Sequence, residues 1–191
     1  MSTIIDTSVA AALEVLKKGG VILYPTDTVW GIGCDATNEA AVERVFKIKR
    51  RSGAKSLVLL ACDLDMVAKH VRQIPSIAID LVEVNDAPMT IIYPGAQYLA
   101  PNVVAEDGSV GIRIPDNEFC VQLVRRLRRP LVSTSANISG EDTPACFAEI
   151  SPEIIEAVDY VVPAALEKDS TGRASQIIKL GLRGEVEIIR P

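Results

Sequence analysis

The hydroxyl and amide side chains of residues 133–140, which read STSANISG, could bind a ligand through several hydrogen bonds. They follow the apolar pair Leu131-Val132, which is typical of a strand. A polar cluster directly after a strand lies where an open α/β sheet binds its ligands. Because Ser, Asn and Gly also dominate ordinary turns for local reasons, this segment by itself fits a plain turn equally well.

A second segment has the same order of apolar and polar residues. The run VILY at 21–24 is followed by PTDTVWGIG at 25–33, in which hydroxyl residues come early. Because both polar segments follow strand-like runs, we interpret them as two edges of one cleft.

Positive charge is concentrated in two short stretches. Cations stand at five of the nine positions 47–55, after a predicted helix and before the strand-like residues 57–60. An anion site at a strand edge and a solvated face both fit this placement. Four arginines between 125 and 129 end another predicted helix, where the helix dipole favours cations, and we expect them to be solvated.

Composition and length are those of a globular protein. The 191 residues, 48% apolar and 24% charged, suit one domain over 1–191 with a full core. No apolar run reaches the roughly 18 residues that span a bilayer, and the N-terminus lacks signal-peptide features, so we expect a cytoplasmic protein without a membrane partner. The net charge of −5 disfavours a protein that coats nucleic acid.

Helix-like and strand-like segments alternate along the chain. Asn38 is predicted to cap a helix with an apolar stripe from Ala41 to Ile48. The alternation indicates an α/β fold with some α+β character, in which helices flank a twisted mixed sheet with antiparallel pairing near the C-terminus. Further helices are predicted at 9–18, 63–71, 76–84, 117–128 and 152–158, and strands at 21–24, 56–61, 89–93, 109–114, 131–134, 159–162, 175–180 and 185–189.

Several common kinds of site are missing from the sequence. His70 is the only histidine, so it has no partner for a metal site or a triad, and we expect a surface or packing role for it. The phosphate-loop pattern GxxxxGK[ST] and the dinucleotide pattern GxGxxG are absent, and Gly31-Ile32-Gly33 is only a fragment. Any nucleotide must therefore be held by side chains and turn amides. The cysteines are widely spaced and predicted to be buried free thiols: Cys34, Cys62, Cys120 and Cys146.

Six motifs together resemble those of the threonylcarbamoyl-AMP synthase family, the YrdC-like proteins. They stand in the family's order and extend over nearly the whole chain. The resemblance implies a YrdC-like fold with a concave basic cleft. The motifs are PTDTVWGIGCDA at 25–36, KRRSGAKSL at 49–57, PMT at 88–90, VGIRIPD at 110–116, STSANISG at 133–140 and IIRP at 188–191.

The resemblance implies a synthase that joins L-threonine, bicarbonate and ATP into threonylcarbamoyl-AMP and pyrophosphate, the first step toward threonylcarbamoyladenosine in tRNA. Such a transfer depends on positioning and charge stabilisation more than on a strong base, which suits a chain with one histidine. Mg²⁺ is expected with ATP, bound largely by phosphate oxygens and water. The expected macromolecular partners are tRNA or tRNA-modification proteins.

The resemblance also implies a role for particular residues. Lys49 and Arg51 would be the catalytic cations, and Arg113 suits a carboxylate because its fork can bind two oxygens at once. The implied threonine site is Thr28, Arg113, Ser133 and Ser175. The implied ATP site is Lys49, Arg51, Lys55, Ser109, Ser135, Asn137, Thr143 and Arg190.

Three positions depart from the family pattern. Leu60 stands where many members carry a histidine, Gln176 replaces the threonine of a Ser-Thr pair, and Met89 replaces a leucine. Because a polar group is lost at Leu60, the amino-acid side of the cleft is expected to be less polar and to discriminate only modestly between threonine and serine or valine.

Two other functions remain open. An RNA-binding module of the same fold would grip RNA on the concave surface without chemistry, although the net charge of −5 and the short basic clusters disfavour it. A hydrolase acting through the hydroxyl cluster would need a base, and none is visible beside Ser133 or Ser135.

Overall fold

The computed structural model describes residues 2–51, 57–168 and 170–191, so Lys55 lies outside the described residues. Within these ranges nine strands form one sheet in the order β7-β1-β2-β6-β3-β5-β4-β8-β9. The strands are β1 (Ile22–Tyr24), β2 (Gly31–Gly33), β3 (Val58–Leu60), β4 (Met89–Tyr93), β5 (Val110–Arg113), β6 (Leu131–Ser135), β7 (Tyr160–Val161), β8 (Gln176–Leu180) and β9 (Val186–Arg190). The α-helices are α1 (Ser2–Lys17), α2 (Glu39–Ile48), α3 (Leu64–His70), α4 (Ser76–Val84), α5 (Glu118–Leu127) and α6 (Pro152–Ala157).

The sheet mixes parallel and antiparallel pairs. β1 runs parallel to β7, β3 to β5 and β4 to β8, whereas the other neighbouring pairs are antiparallel. The antiparallel pair β8 and β9 confirms the pairing that the sequence predicts near the C-terminus. The predicted fold, a mixed sheet flanked by helices, is likewise confirmed.

Local sequence signals explain how α2 begins and which face it buries. The Asn38 side-chain oxygen accepts a hydrogen bond from the Ala41 N–H at 3.1 Å, which satisfies one of the free donors of the first turn. Val42, Val45 and Phe46 are buried on the predicted stripe. The cap and the stripe together position the end of α2, where the basic string begins.

Two apolar clusters cover the two faces of the sheet. The larger cluster contains side chains of α2, α3, α4 and α6, and the second contains those of α1 and α5. Side chains alternate along each strand, so Leu59 packs in the first cluster and Leu60 in the second. Among the helices of the described ranges, none is long and apolar enough to cross a membrane.

Some predictions need correction. β2 was not predicted, because three residues with two glycines carry no alternating apolar pattern; its formation depends on pairing with β1 and β6. α1 begins at Ser2 rather than at Val9. His70 is 2% exposed, which fits packing and excludes a surface role. The four cysteines are free and three are buried, but Cys146 is only half-buried.

Candidate active site

A cavity of about 310 Å³ is lined by residues of several strands, and in β6 it lies on the face that also carries the apolar cluster of α1 and α5. In β6, Leu131 packs in that cluster, whereas Ser133 and Ser135, on the same face of the strand, line the cavity. Eight of the predicted site residues line it: Thr28, Arg51, Arg113, Ser133, Ser135, Thr143, Ser175 and Arg190. The two polar segments after β1 and along β6 thus meet in one cleft, as the sequence predicts.

The end of α2 sends three consecutive basic side chains in different directions. Arg50 has a φ of 49°, in the left-handed region, and the Arg51 N–H donates to the Phe46 carbonyl at 3.0 Å, as in a Schellman turn. Lys49 is buried, Arg50 pairs with Glu153 at the surface, and Arg51 lines the cavity. In the described part of the basic string the charges therefore do not form a continuous surface patch, and Arg51 is the cation that lines the cavity.

Arg113, the last residue of β5, is held at the cavity wall by the loop between β1 and β2. Its Nη1 donates to Asp27 Oδ1 at 2.6 Å, and its Nη2 donates to Thr28 Oγ1 at 3.1 Å. The Thr26 hydroxyl shapes this loop, because it accepts from the Thr28 N–H at 3.0 Å and donates to the Val29 carbonyl at 2.8 Å. The guanidinium is thus fixed in place, and the buried Asp27 carboxylate balances its charge.

Another part of the cavity wall is built from β8, β9 and the segment before them. The Ser175 hydroxyl lies 2.8 Å from the Thr90 hydroxyl, and Arg190 Nε donates to the Ser175 carbonyl at 2.8 Å. The Gly172 N–H donates to the Thr28 carbonyl at 2.9 Å, which ties this segment to the loop after β1. These bonds bring Ser175 and Arg190 to the cavity although both are distant from Thr28 in sequence.

The STSANISG segment is both a turn and a wall of the cavity. The Ala136 N–H donates to the Trp30 carbonyl at 3.0 Å. Lys49 Nζ donates to the carbonyls of Ser135 and Asn137 at 2.6 and 2.7 Å. The turn and the binding interpretations left open by the sequence therefore apply together.

Three predicted residues in the described ranges do not line this cavity. The Lys49 ammonium faces backbone carbonyls of the turn after β6. The Ser109 hydroxyl donates to Asp107 Oδ1 at 2.5 Å, and Asn137 Nδ2 donates to the Glu141 carbonyl at 2.8 Å. The assignments of these three residues to the ATP site stay predictions.

The described charged residues that line the cavity are arginines. Three arginines line it, and no acidic residue is among its lining residues in the part of the chain that the structure describes. Arg113 pairs with Asp27, but Arg51 and Arg190 form no ion pair with any described residue. Burial lowers the pKa of both Arg51 and Arg190, although a guanidinium stays protonated at neutral pH. Arg51 and Arg190 therefore suit the more anionic part of a ligand.

Sequence reasoning missed several residues of this region, among them Asp27, Trp30 and Gly31. Trp30 and Gly31 line the cavity, and Asp27 lies behind Arg113. A Cβ added to Gly31 would lie 3.2 Å from the Tyr24 ring and 3.3 Å from a hydroxyl oxygen on β6, so a side chain there would crowd the wall. The polar run after β1 pointed to Asp27. Its partner Arg113 lies 86 positions away, so the spacing of residues in the sequence could not reveal the pair.

The three positions that depart from the family pattern do not line the described part of the cavity. Leu60 is fully buried in the cluster of α1 and α5, in register with Arg113. Met89 is half-buried, and Gln176 is exposed at the start of β8. None of the three is among the described lining residues.

The chain belongs to the family of Sua5, YciO and YrdC proteins, because the profile of that family, described as "Telomere recombination", matches residues 14–191. The resemblance found in the motifs is thereby confirmed. A protein of Pseudoalteromonas translucida (strain TAC 125) named threonylcarbamoyl-AMP synthase is 34% identical over 164 residues, which are 84% of this chain and 88% of the relative.

Solved structures show the same fold. A doubly substituted variant of P. abyssi Sua5 matches with a TM-score of 0.87 and 24% identity, over 96% of this chain and 56% of that chain. P. abyssi Sua5 complexed with L-threonine matches with a TM-score of 0.82 and 24% identity, over 90% of this chain and 50% of that chain. The chain therefore spans about half the length of these two solved proteins.

Proposed function

We infer that this protein is an L-threonylcarbamoyladenylate synthase, which forms threonylcarbamoyl-AMP and pyrophosphate from L-threonine, bicarbonate and ATP. One observation carries the inference: a single cavity is lined by Arg51 and Arg190, which have no acidic partner among the described residues, by several hydroxyl side chains and by Arg113, which Asp27 holds in place. Relatives named threonylcarbamoyl-AMP synthase, at 31% to 34% identity, support it.

The nucleotide is proposed to lie with its phosphates toward Arg51 and Arg190. Charge-assisted hydrogen bonds from guanidinium groups to phosphate oxygens are strong and often bidentate. The hydroxyls of Ser135 and Thr143 line the same cavity and can donate to the nucleotide. Lys55, Ser109 and Asn137 complete the ATP site expected from the resemblance, which also assigns Lys49 to it.

Threonine is proposed to bind in the same cavity, with its carboxylate on Arg113. A guanidinium has five N–H donors, and the bonds to Asp27 and Thr28 use two of them. Thr28, Ser133 and Ser175 would bind the remaining polar groups of the amino acid through their hydroxyls. The threonine complex of P. abyssi Sua5 supports an amino acid as the second substrate.

The reaction then requires little acid or base chemistry from the protein. The threonine nitrogen and bicarbonate form a carbamate with loss of water, an oxygen of the carbamate attacks the α-phosphorus, and the bond to the leaving pyrophosphate breaks. Arg51 and Arg190 would stabilise the negative charge that develops on the phosphates, while Arg113 orients the amino acid. Positioning two substrates in one small cavity is the main contribution of the protein.

Mg²⁺ is proposed to enter with ATP, bound by phosphate oxygens and water. The described lining residues offer hydroxyls and guanidinium groups but no carboxylate. Within the described ranges no group of three or more His, Cys, Asp or Glu side chains could hold a metal ion. Mg²⁺ would therefore belong to the substrate complex.

The product is proposed to serve the modification of tRNA, so tRNA or tRNA-modification proteins would be later partners. We propose the cytoplasm as the place of action. The free thiols of Cys34, Cys62 and Cys120 are buried, which suits a reducing compartment.

Pyrophosphate release tests the proposed function directly. The protein is incubated with ATP, Mg²⁺, bicarbonate and L-threonine, and each component is omitted in turn. We expect release that requires all three substrates, with a threonylcarbamoyl adenylate found by mass spectrometry. Release that is independent of threonine would refute the synthase and leave an ATP-binding member of the family.

A further inference from the structure

The Lys49 ammonium is committed to the backbone of the turn after β6. Its Nζ lies 2.6 Å from the Ser135 carbonyl oxygen, 2.7 Å from the Asn137 carbonyl oxygen and 3.5 Å from Asn137 Oδ1. An ammonium has three N–H donors and no acceptor. The two short contacts are therefore ion–dipole hydrogen bonds to two carbonyls of one turn.

Burial keeps Lys49 apart from the cavity. Its residue surface is 3% exposed, and it is not among the described residues that line the cavity, whereas Arg51 is. Burial, with the charge of Arg51 as a smaller cause, lowers the pKa of Lys49 to about 8. The amine is therefore still mainly protonated at neutral pH and able to donate to both carbonyls.

The same turn is anchored to the end of α2 from the opposite direction. The Ser139 N–H donates to the Lys49 carbonyl at 2.9 Å, and the Lys49 N–H donates to the Val45 carbonyl at 3.0 Å. Lys49 thus bonds the turn through its side chain and its main chain while it caps the helix. A helix end packed on the core is a rigid support for a loop that must hold hydroxyl groups in place.

We propose that Lys49 is a positioning residue for the nucleotide, which acts by holding the carbonyls of Ser135 and Asn137 so that the turn presents its hydroxyl and amide groups to the cavity. In this assignment Arg51 contacts the phosphates and Lys49 does not. The proposal rests on the proposed function for the identity of the nucleotide. The link between Lys49 and the turn can be tested without any substrate.

The first test measures amide hydrogen exchange without substrate in Lys49→Met, which keeps the length and apolar stem but removes the donors. We expect exchange in residues 135–139 to rise at least about tenfold, because each 1.4 kcal/mol of lost stability raises an opening equilibrium tenfold. The matched control is Lys47→Met on the exposed side of the same helix, where the side chain is 73% exposed and we expect no change. Unchanged exchange in Lys49→Met would overturn the proposal, whatever the enzyme does.

The second test is a double-mutant cycle on the KM for ATP, with Lys49→Met, Ser135→Ala and the double variant. Each single change is expected to raise the KM for ATP about tenfold. The KM of the double variant should be no higher than that of the more impaired single variant, because both changes act through one turn. The KM for threonine should stay within about twofold, which a general loss of folding would not produce. Independent, multiplied effects would overturn the proposal and indicate a direct phosphate contact.

A folding defect in Lys49→Met is checked by its melting temperature. If that variant does not fold, Lys49→Arg is measured in the same way, since it keeps the charge but places a larger group between the two carbonyls. Faster exchange in residues 135–139 with a raised KM for ATP supports positioning, and wild-type behaviour of Lys49→Arg refutes it. Absence of pyrophosphate release in the wild type would refute the proposed function alone, since the exchange test does not depend on it.

Discussion

Asp27→Asn tests whether the buried ion pair between Asp27 and Arg113 supports the fold as well as the proposed threonine site. Asp27 Oδ1 and Arg113 Nη1 are 2.6 Å apart, and the two side chains are 9% and 4% exposed. Removing one partner of a buried pair leaves the other charge uncompensated and typically costs about 3–5 kcal/mol. Asparagine keeps an oxygen that can accept from Arg113, so we expect the lower figure, about 3 kcal/mol. For a protein of this size that corresponds to a fall of about 6–12 °C in the melting temperature.

Urea unfolding and thermal unfolding both measure this loss. The matched control is Glu153→Gln, which removes an ion pair at the surface. The side chains of Arg50 and Glu153 are 64% and 52% exposed, and such a surface pair contributes only about 0–1 kcal/mol to the free energy of unfolding. The KM for threonine should also rise in Asp27→Asn, since Arg113 loses the group that fixes its orientation. A stability within about 1 kcal/mol of the wild type would refute the argument that burial makes this pair essential.

Three further perturbations test other parts of the reasoning. Arg51→Ala should change the free energy of unfolding by no more than about 0.5 kcal/mol. It should slow ATP-dependent pyrophosphate release about 10- to 100-fold, because a hydrogen bond to a charged group contributes about 1.5–3 kcal/mol. Unfolding curves and steady-state kinetics measure the two effects, and wild-type turnover would contradict the phosphate assignment. Arg113→Lys should raise the KM for threonine at least about tenfold and change that for ATP little, because an ammonium cannot reproduce a two-pronged contact; equal rises in the two KM values would count against this placement. Asp107 has its pKa lowered from 3.8 to about 2, first by the hydrogen bond from Lys179, so its contribution to stability is present above pH 4 and lost as the pH falls toward 2. The melting temperature of Asp107→Asn should therefore fall less than that of the wild type between pH 4 and pH 2. If the two melting temperatures depend on pH in the same way, the pair of Asp107 and Lys179 contributes nothing to stability.

The sequence was a good guide where the signal is local. The cap of α2 at Asn38 and its apolar stripe depend on residues three and four positions apart, and both were confirmed. The meeting of the PTDT and STSAN segments was also predicted, because each follows an apolar strand and strand ends converge at the edge of a sheet.

The basic string shows what local sequence could not predict, namely the direction of each side chain. Its charges fitted an anion site and a solvated face equally well, and both descriptions are partly right. Because Arg50 adopts a positive φ, Arg51 turns into the cavity while Arg50 itself faces Glu153 at the surface. A count of charges along the chain could not separate these directions.

The amino-acid sequence by itself determined the alternation of helices and strands, the two polar edges of the cleft and the family, because hydrophobic periodicity and motif order are properties of the chain. The tertiary structure alone decided that β2 exists, that Asp27 balances Arg113 and that Lys49 supports a turn instead of lining the cavity. Each of these depends on contacts between residues far apart in sequence, since burial, hydrogen-bond partners and charge compensation arise only when the sheet has brought distant segments together.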